Sequence, residues 1–182
     1  ALLAAWLYCR RAGLTLDLPA AVQALNRFPG LPHRLAFVAE VAGISFFDDS
    51  ISTIPQASIS AVRSLGDVDT LVFGGLDRGI DYRPLEDFLA GGNVPNLVAL
   101  PATGHAILSR LEAEGRIPAG VAFHRAADMV DAVAAAFRMS RPGRSCVLSP
   151  AAASYGYYRN FEERGAHYAA LVRGGRSENV LP

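Results

Sequence analysis

At 182 residues the chain is long enough for one α/β domain plus a fragment, and hardly for two full domains. Apolar residues make up 51% and charged residues 19%, which supplies a sizeable core and excludes a disordered chain. Seventeen basic and seventeen acidic residues leave a formal net charge of zero, which speaks against nucleic-acid binding driven by phosphate neutralisation. All the basic residues are arginine, so the chain itself supplies no Walker lysine and no Schiff-base lysine. Arginine stays protonated at working pH; it clamps anions and does not serve as a base. Cys9 and Cys146 stand far apart amid apolar residues. That argues against a metal site or a disulfide framework and for two buried thiols in a reducing compartment. No apolar run reaches the roughly 20 residues that span a bilayer. The opening Ala1-Leu-Leu-Ala-Ala-Trp-Leu-Tyr8 lacks the basic start and cleavage-like end of a signal peptide. A helical pattern already under way at Ala1, without an initiator methionine, reads as a chain cut from something longer.

In chain order, residues 1–11 predict a helix that Gly13 ends, and residues 18–25 a second one. Phe28-Pro-Gly-Leu-Pro32 is stiff and turn-rich, a plausible domain hinge. His33-Arg34 follow it, placed either on a surface turn or toward a ligand held between domains. Beyond, β-branched and aromatic runs predict strands over 34–41, 44–47, 70–73, 96–100, 121–123 and 145–148. Helical patterns cover 55–65, 84–89, 104–114, 126–138 and 155–173. The first two strands, joined only by Ala42-Gly43, predict an antiparallel hairpin. The remaining β-α alternation predicts an α/β fold: a mostly parallel sheet with helices on both faces. In such a sheet ligands bind beyond the carboxyl ends of the strands.

Three strand ends carry candidate chemistry. The first is Phe47-Asp-Asp-Ser-Ile-Ser-Thr-Ile-Pro55, where Pro55 and Thr53 suit a helix start. Capping explains one residue there, not the cluster Asp48-Asp49-Ser50. The second is Gly74-Gly-Leu-Asp-Arg-Gly79, which matches neither a P-loop nor a dinucleotide fingerprint. Its Arg78 can hold a carboxylate bidentately or pair with Asp77 or Asp81. The third is Ser149-Pro-Ala-Ala-Ala-Ser-Tyr155, read as leading straight into a helix with Ser154 at its start, where backbone N–H groups bind anions. Tyr155, Tyr157, Tyr158 and Phe161 read as core, and Glu162, Glu163 and Arg164 as a solvated face with local ion pairs. His105, His124 and His167 are scattered, without a carboxylate or thiol at ligand spacing, and read as structural or exposed. No metal site is expected.

Together these segments resemble the Mur ligases, and within them the glutamate-adding branch. The resemblance rests on Gly30-Leu-Pro-His-Arg-Leu35, on Phe47-Asp-Asp-Ser50 with Thr53, and on Gly74-Gly with Arg78-Gly79. Ser149-Pro-Ala-Ala-Ala-Ser154 with Asn160-Phe-Glu-Glu-Arg-Gly165 completes the order, and the match runs across almost the whole chain. It implies that residues 1–27 are the last helices of a truncated central ATP-binding domain and residues 28–182 the dinucleotide-fold-like carboxy-terminal domain. It implies a cytoplasmic enzyme of cell-wall precursor synthesis that joins glutamate to UDP-N-acetylmuramoyl-L-alanine through an acyl phosphate, with ATP and magnesium (Mg2+) held mainly by the central domain. Neither a membrane nor nucleic acid is an implied partner. His33, Arg34 and Asp49 match positions around ATP. Thr53, Arg78, Ser154 and Phe161 match positions around the incoming glutamate.

Three departures from the family pattern bear on that pocket. Ile51 stands where a lysine usually helps hold the glutamate side chain, Arg78 replaces another lysine, and Tyr155-Gly156 replaces a Leu-Asp-like pair. Losing one ammonium from a carboxylate pocket costs ~1–3 kcal/mol unless the pocket is rebuilt. The run Asp48-Asp-Ser-Ile-Ser-Thr53 resembles a variant branch that adds L-glutamate rather than D-glutamate. Two other readings stay open: a ligase that adds glutamate to folates or another amino acid to muramyl peptides, and a non-catalytic α/β interaction domain.

Overall fold

The computed structural model describes residues 2–28 and 30–175. The chain divides into two compact units, Ala1–Leu31 and Pro32–Pro182. The first holds helices α1 (Leu2–Arg11) and α2 (Leu18–Arg27), neither of which buries a side chain. Asp17 caps α2, its Oδ1 accepting from Ala20 N at 3.0 Å, and Pro19 follows in the first turn, where its missing N–H costs nothing. Leu3, Trp6, Leu7 and Tyr8 are exposed.

The second unit is a six-stranded sheet in the order β1-β2-β6-β3-β4-β5. The strands are β1 (Ala36–Val41), β2 (Ile44–Asp48), β3 (Val68–Phe73), β4 (Asn96–Ala99), β5 (Ala122–Arg125) and β6 (Ser145–Leu148). Among the described strand pairs only β1 with β2 is antiparallel, joined by the Ala42-Gly43 turn with both residues at positive φ. That is the backbone a two-residue hairpin requires, and glycine adopts it without strain. The other pairs are parallel, as the alternation predicts. Strands β3 and β6, covered on both sides, are buried at every position.

Helices α3 (Pro55–Leu65), α4 (Arg83–Ala90), α5 (Thr103–Ala113), α6 (Met129–Met139) and α7 (Phe161–Gly174) complete the unit. On one face Phe46, Val72, Val98 and Leu148 meet Met129 and Val133 of α6 and Tyr168 and Val172 of α7. On the other, Leu71, Phe73 and Leu97 meet Val62 of α3, Leu85 of α4 and Leu108 of α5. Two cores on two faces make the sheet doubly wound. At its amino end, buried Asp69 accepts from Arg141 N and Nε at 2.9 Å and from Asn96 Nδ2 at 3.0 Å, so a carboxylate inside a central strand is satisfied.

Several expectations need correction. The last helix does not begin at Tyr155, so Ser154 is not at a helix start. Its N-cap is Asn160, whose Oδ1 accepts from Glu163 N at 2.8 Å while Glu163 Oε2 accepts from Arg159 N at 2.7 Å. This reciprocal cap outweighs the aromatic spacing of residues 155–158, and Gly156 at φ 90° breaks any helix there. Helix α6 likewise begins at Met129 rather than 126, because Asp128 caps it by accepting from Asp131 N. Thr53 does not cap α3: the N-cap is Ile54, with no side-chain bond. Cys146 is buried beside Tyr168, and burial pushes its thiol up to about 12. Cys9 is only half-buried. His124 does have a carboxylate partner, Nε2 lying 3.0 Å from both Asp131 oxygens.

Candidate functional site

The carboxyl ends of β2, β6 and β3 lie side by side, and the loops leaving them form one rim. Asp49 N donates to Leu148 O at 2.8 Å, Gly74 N to Pro150 O at 2.8 Å, and Leu76 N to Ala153 O at 2.9 Å. These bonds tie the loops after β2 and β3 to the loop after β6. Gly75 is needed there: its φ is 151°, and a Cβ would stand 2.5 Å from Ala153 O.

The two aspartates after β2 face different partners. Asp48 Oδ2 lies 2.7 Å from His33 Nδ1, while its Oδ1 accepts from Ser50 N at 2.9 Å. The His33 ring meets Phe161 edge-on, centroids 6.0 Å apart, and Gly165 of α7 packs against the pair. Asp49 accepts from Leu35 N at 3.2 Å and from the Ser149 hydroxyl at 2.7 Å. Burial pushes the Asp49 carboxyl above its ordinary 3.8, while bonds from Ser52, Ser149 and Leu35 N and the charge of exposed Arg34 pull the other way.

A pH dependence follows. Folded Asp49 holds its proton more tightly than the unfolded chain does, so its contribution favours folding at low pH and is lost as pH rises from 3.8 through the folded value. Asp49→Asn removes that titration. The stability of Asp49→Asn relative to wild type should therefore climb across this window and level off above it, read from melts between about pH 3 and 7. A difference that stays flat with pH would remove the burial argument.

Of the seven expected site residues, the structure joins some and not others. His33 and Phe161 are in ring contact, and Arg34 acts on Asp49 through its charge. Arg78 reaches across from the β3 loop, its Nη2 donating to Thr53 O at 3.2 Å. Ser154 is buried in the neighbouring β6 loop and makes no described contact with Arg78. As it starts no helix, it offers a hydroxyl and not a helix amino end.

Sequence reasoning missed Arg164. Far from a solvated face, it is 2% exposed. Its Nε donates to Ser50 Oγ at 2.9 Å, Nη2 to Ser50 O at 2.8 Å and Nη1 to Ala152 O at 3.0 Å. The Ser50 hydroxyl in turn donates to Phe161 O at 2.8 Å. One guanidinium thus clamps the loops after β2 and β6 onto the first turn of α7. The cap at Asn160, once read, is the signal that would have found it: Arg164 lies one turn inside the helix, beside the buried Gly165 and four residues before the buried Tyr168.

Among the described residues no group of three or more His, Cys, Asp or Glu is arranged to hold a metal ion. No helix among them is long and apolar enough to cross a membrane. For a nucleotide, exposed Arg34 offers a cation for phosphate, while Asp49 beside it is buried and already accepts from Leu35 N and the Ser149 hydroxyl.

No protein-family model matches the chain. It is 38% identical over 151 residues to the UDP-N-acetylmuramoyl-L-alanine–L-glutamate ligase of Salinispora tropica, covering 82% of this chain and 33% of that protein. It is 37% identical over 170 residues to the UDP-N-acetylmuramoylalanine–D-glutamate ligase of Symbiobacterium thermophilum, covering 93% and 36%. In fold it is similar to the MurF ligase from Thermotoga maritima in complex with ADP, with a TM-score of 0.58 at 16% identity over 94% of this chain and 35% of that one. The chain spans about a third of the length of these relatives. With sequence likeness over most of its length and a doubly wound sheet to match, the chain belongs to the Mur ligase family, as a stretch with the fold of its carboxy-terminal α/β domain.

Proposed function

We propose that this chain is the carboxy-terminal lobe of an ATP-dependent ligase that adds glutamate to UDP-N-acetylmuramoyl-L-alanine. The likeness to glutamate-adding ligases over most of the chain carries the reading. In the proposed reaction an oxygen of the alanyl carboxylate attacks the γ-phosphorus of ATP, and ADP leaves. The glutamate amine then attacks the acyl carbon, phosphate departs, and the amine gives up a proton. No basic side chain for that proton is assigned to this lobe. Its contribution is to position substrates and hold charge.

Arg34 and Asp49 face ATP with His33 beside them, and Arg78, Thr53, Ser154 and Phe161 surround glutamate. Arg78, exposed and anchored on the Thr53 carbonyl, holds one glutamate carboxylate, in a pocket where Ile51 stands in place of a cation. The Asp48-Asp-Ser-Ile-Ser-Thr53 run favours L-glutamate. Residues 1–27 are the last helices of the central domain; the exposure of Leu3, Trp6, Leu7 and Tyr8 suits helices that pack on such a domain. The enzyme works in the cytoplasm, where its nucleotide substrates are, and magnesium, which would neutralise the ATP phosphates, would be held mainly by the central domain and not by this lobe.

The test is phosphate release by the full-length protein with UDP-N-acetylmuramoyl-L-alanine, ATP and either glutamate isomer. Turnover with L-glutamate well above D-glutamate is expected; no turnover with either ends the reading. Within it, Arg78→Ala should raise the glutamate KM by about ten- to hundredfold, the worth of one charged hydrogen bond, and leave the ATP KM within a few-fold. Equal effects on both would remove Arg78 from the glutamate site.

A further inference from the structure

A cavity of about 240 Å³ opens at the carboxyl ends of β3, β4, β5 and β6, bordered by the first turns of α6 and α7. Neither Thr53 nor Arg78 lines it, although Ser154 does. It occupies the kind of crevice where doubly wound sheets receive ligands, at adjacent strands whose connections leave toward opposite faces.

Its inner wall carries a cation without a contacting anion. Arg164 hydrogen-bonds only to neutral oxygens of Ser50 and Ala152, which leaves one N–H on each terminal nitrogen without a partner among the described residues. Burial lowers its pKa to about 10, so it stays charged at neutral pH. Asp48 acts on it only through space and is already engaged with His33 and Ser50 N. A guanidinium desolvated this far is costly unless an anion reaches it. Gly75 borders the same cavity, and a Cβ there would stand 3.2 Å from Arg164 Nη1; glycine leaves that nitrogen uncovered.

The other walls are of a different kind. Leu100, Pro101 and Met129 are apolar, and the rings of Tyr157 and Tyr158 close one side. Tyr158 bonds His167 Nδ1 at 2.8 Å and Asp128 caps α6, so Arg164 supplies the guanidinium of this wall, with the Ser154 hydroxyl also on the lining. We propose that this cavity binds a small organic carboxylate with an apolar, ring-sized body, its carboxylate on Arg164 and its body against Leu100, Met129 and Tyr157. This site shares Ser154 with the glutamate position proposed above but includes neither Thr53 nor Arg78.

The test uses the 182-residue chain with benzoate and its cationic counterpart benzylamine, followed by calorimetry and by amide shifts around residues 127–129 and 164–167. Benzoate is expected to bind saturably and at least tenfold tighter than benzylamine. Ala127→Trp, an exposed position at the cavity mouth, should weaken benzoate at least tenfold without lowering the melting temperature. His167→Gln should leave it within twofold, as should Arg78→Ala, which separates this site from the glutamate reading. Equal binding of the two probes, unchanged benzoate affinity in Ala127→Trp, or loss in His167→Gln would each overturn the assignment to Arg164.

Discussion

Arg164→Met should lower the stability of this chain by about 2–4 kcal/mol. The side chain is buried and supplies three charge-assisted bonds that no other donor replaces. Without it the carbonyls of Ser50 and Ala152 lose a partner in a place water hardly reaches. Removing a desolvated charge returns part of that loss, which keeps the net effect below the sum of the bonds. Methionine fills similar volume, so the change reads out polar bonding rather than a cavity. In urea the midpoint should fall with an unchanged slope, since the surface exposed on unfolding stays the same. Arg164→Lys should recover less than half, because an ammonium lacks the planar fork that reaches Ser50 and Ala152 from separate nitrogens. A wild-type midpoint for the methionine variant would mean that the clamp between the two loops contributes nothing.

Gly165→Ala is the second large effect expected. A Cβ at this position would be driven into His33 Nδ1 and both carboxylate oxygens of Asp48. Neither group retreats easily: Asp48 also holds Ser50 N, and His33 rests on the Phe161 ring. Overpacking of this kind costs about 1–3 kcal/mol, and the added methyl should separate the imidazole from the carboxylate. The expected signature is a lower melting temperature together with loss of the cross-ring contacts between His33 and Phe161 in NMR spectra. His33→Ala removes one of the two groups that are struck. The double variant should therefore be more stable than the sum of the two single losses predicts, a coupling that only neighbours show. Strict additivity would place the strain elsewhere.

The two effects share a cause. Helix α7 presses its first turns against the loops after β2 and β6 through groups that neighbour each other in sequence, Arg164 by bonding and Gly165 by having no side chain. The rim on which Asp49, Thr53 and Ser154 stand is held at the right spacing by a helix that contributes only Phe161 to the expected site residues. That makes Arg164 and Gly165 positioning residues for the rim.

Local pattern determined the architecture. The alternation of short β-branched runs with helical patterns, and the Ala42-Gly43 turn, sufficed for a mostly parallel sheet with one antiparallel hairpin, because strand period and turn stereochemistry act within a few residues. The same holds for the strand-end clusters, since a doubly wound sheet always carries its ligands there. Their grouping, however, depended on contacts between residues 100 or more positions apart. Ser149 bonds Asp49, and Arg164 bonds Ser50, across the sheet. No local spacing shows that a surface-looking Glu-Glu-Arg run holds a buried cation, because burial is set by what packs against a helix and not by its composition. The start of α7 lay between these two cases. The Asn160-Phe-Glu-Glu163 cap was there to be read, yet the aromatic run before it mimicked a helical stripe, and only the bonded geometry decided between them.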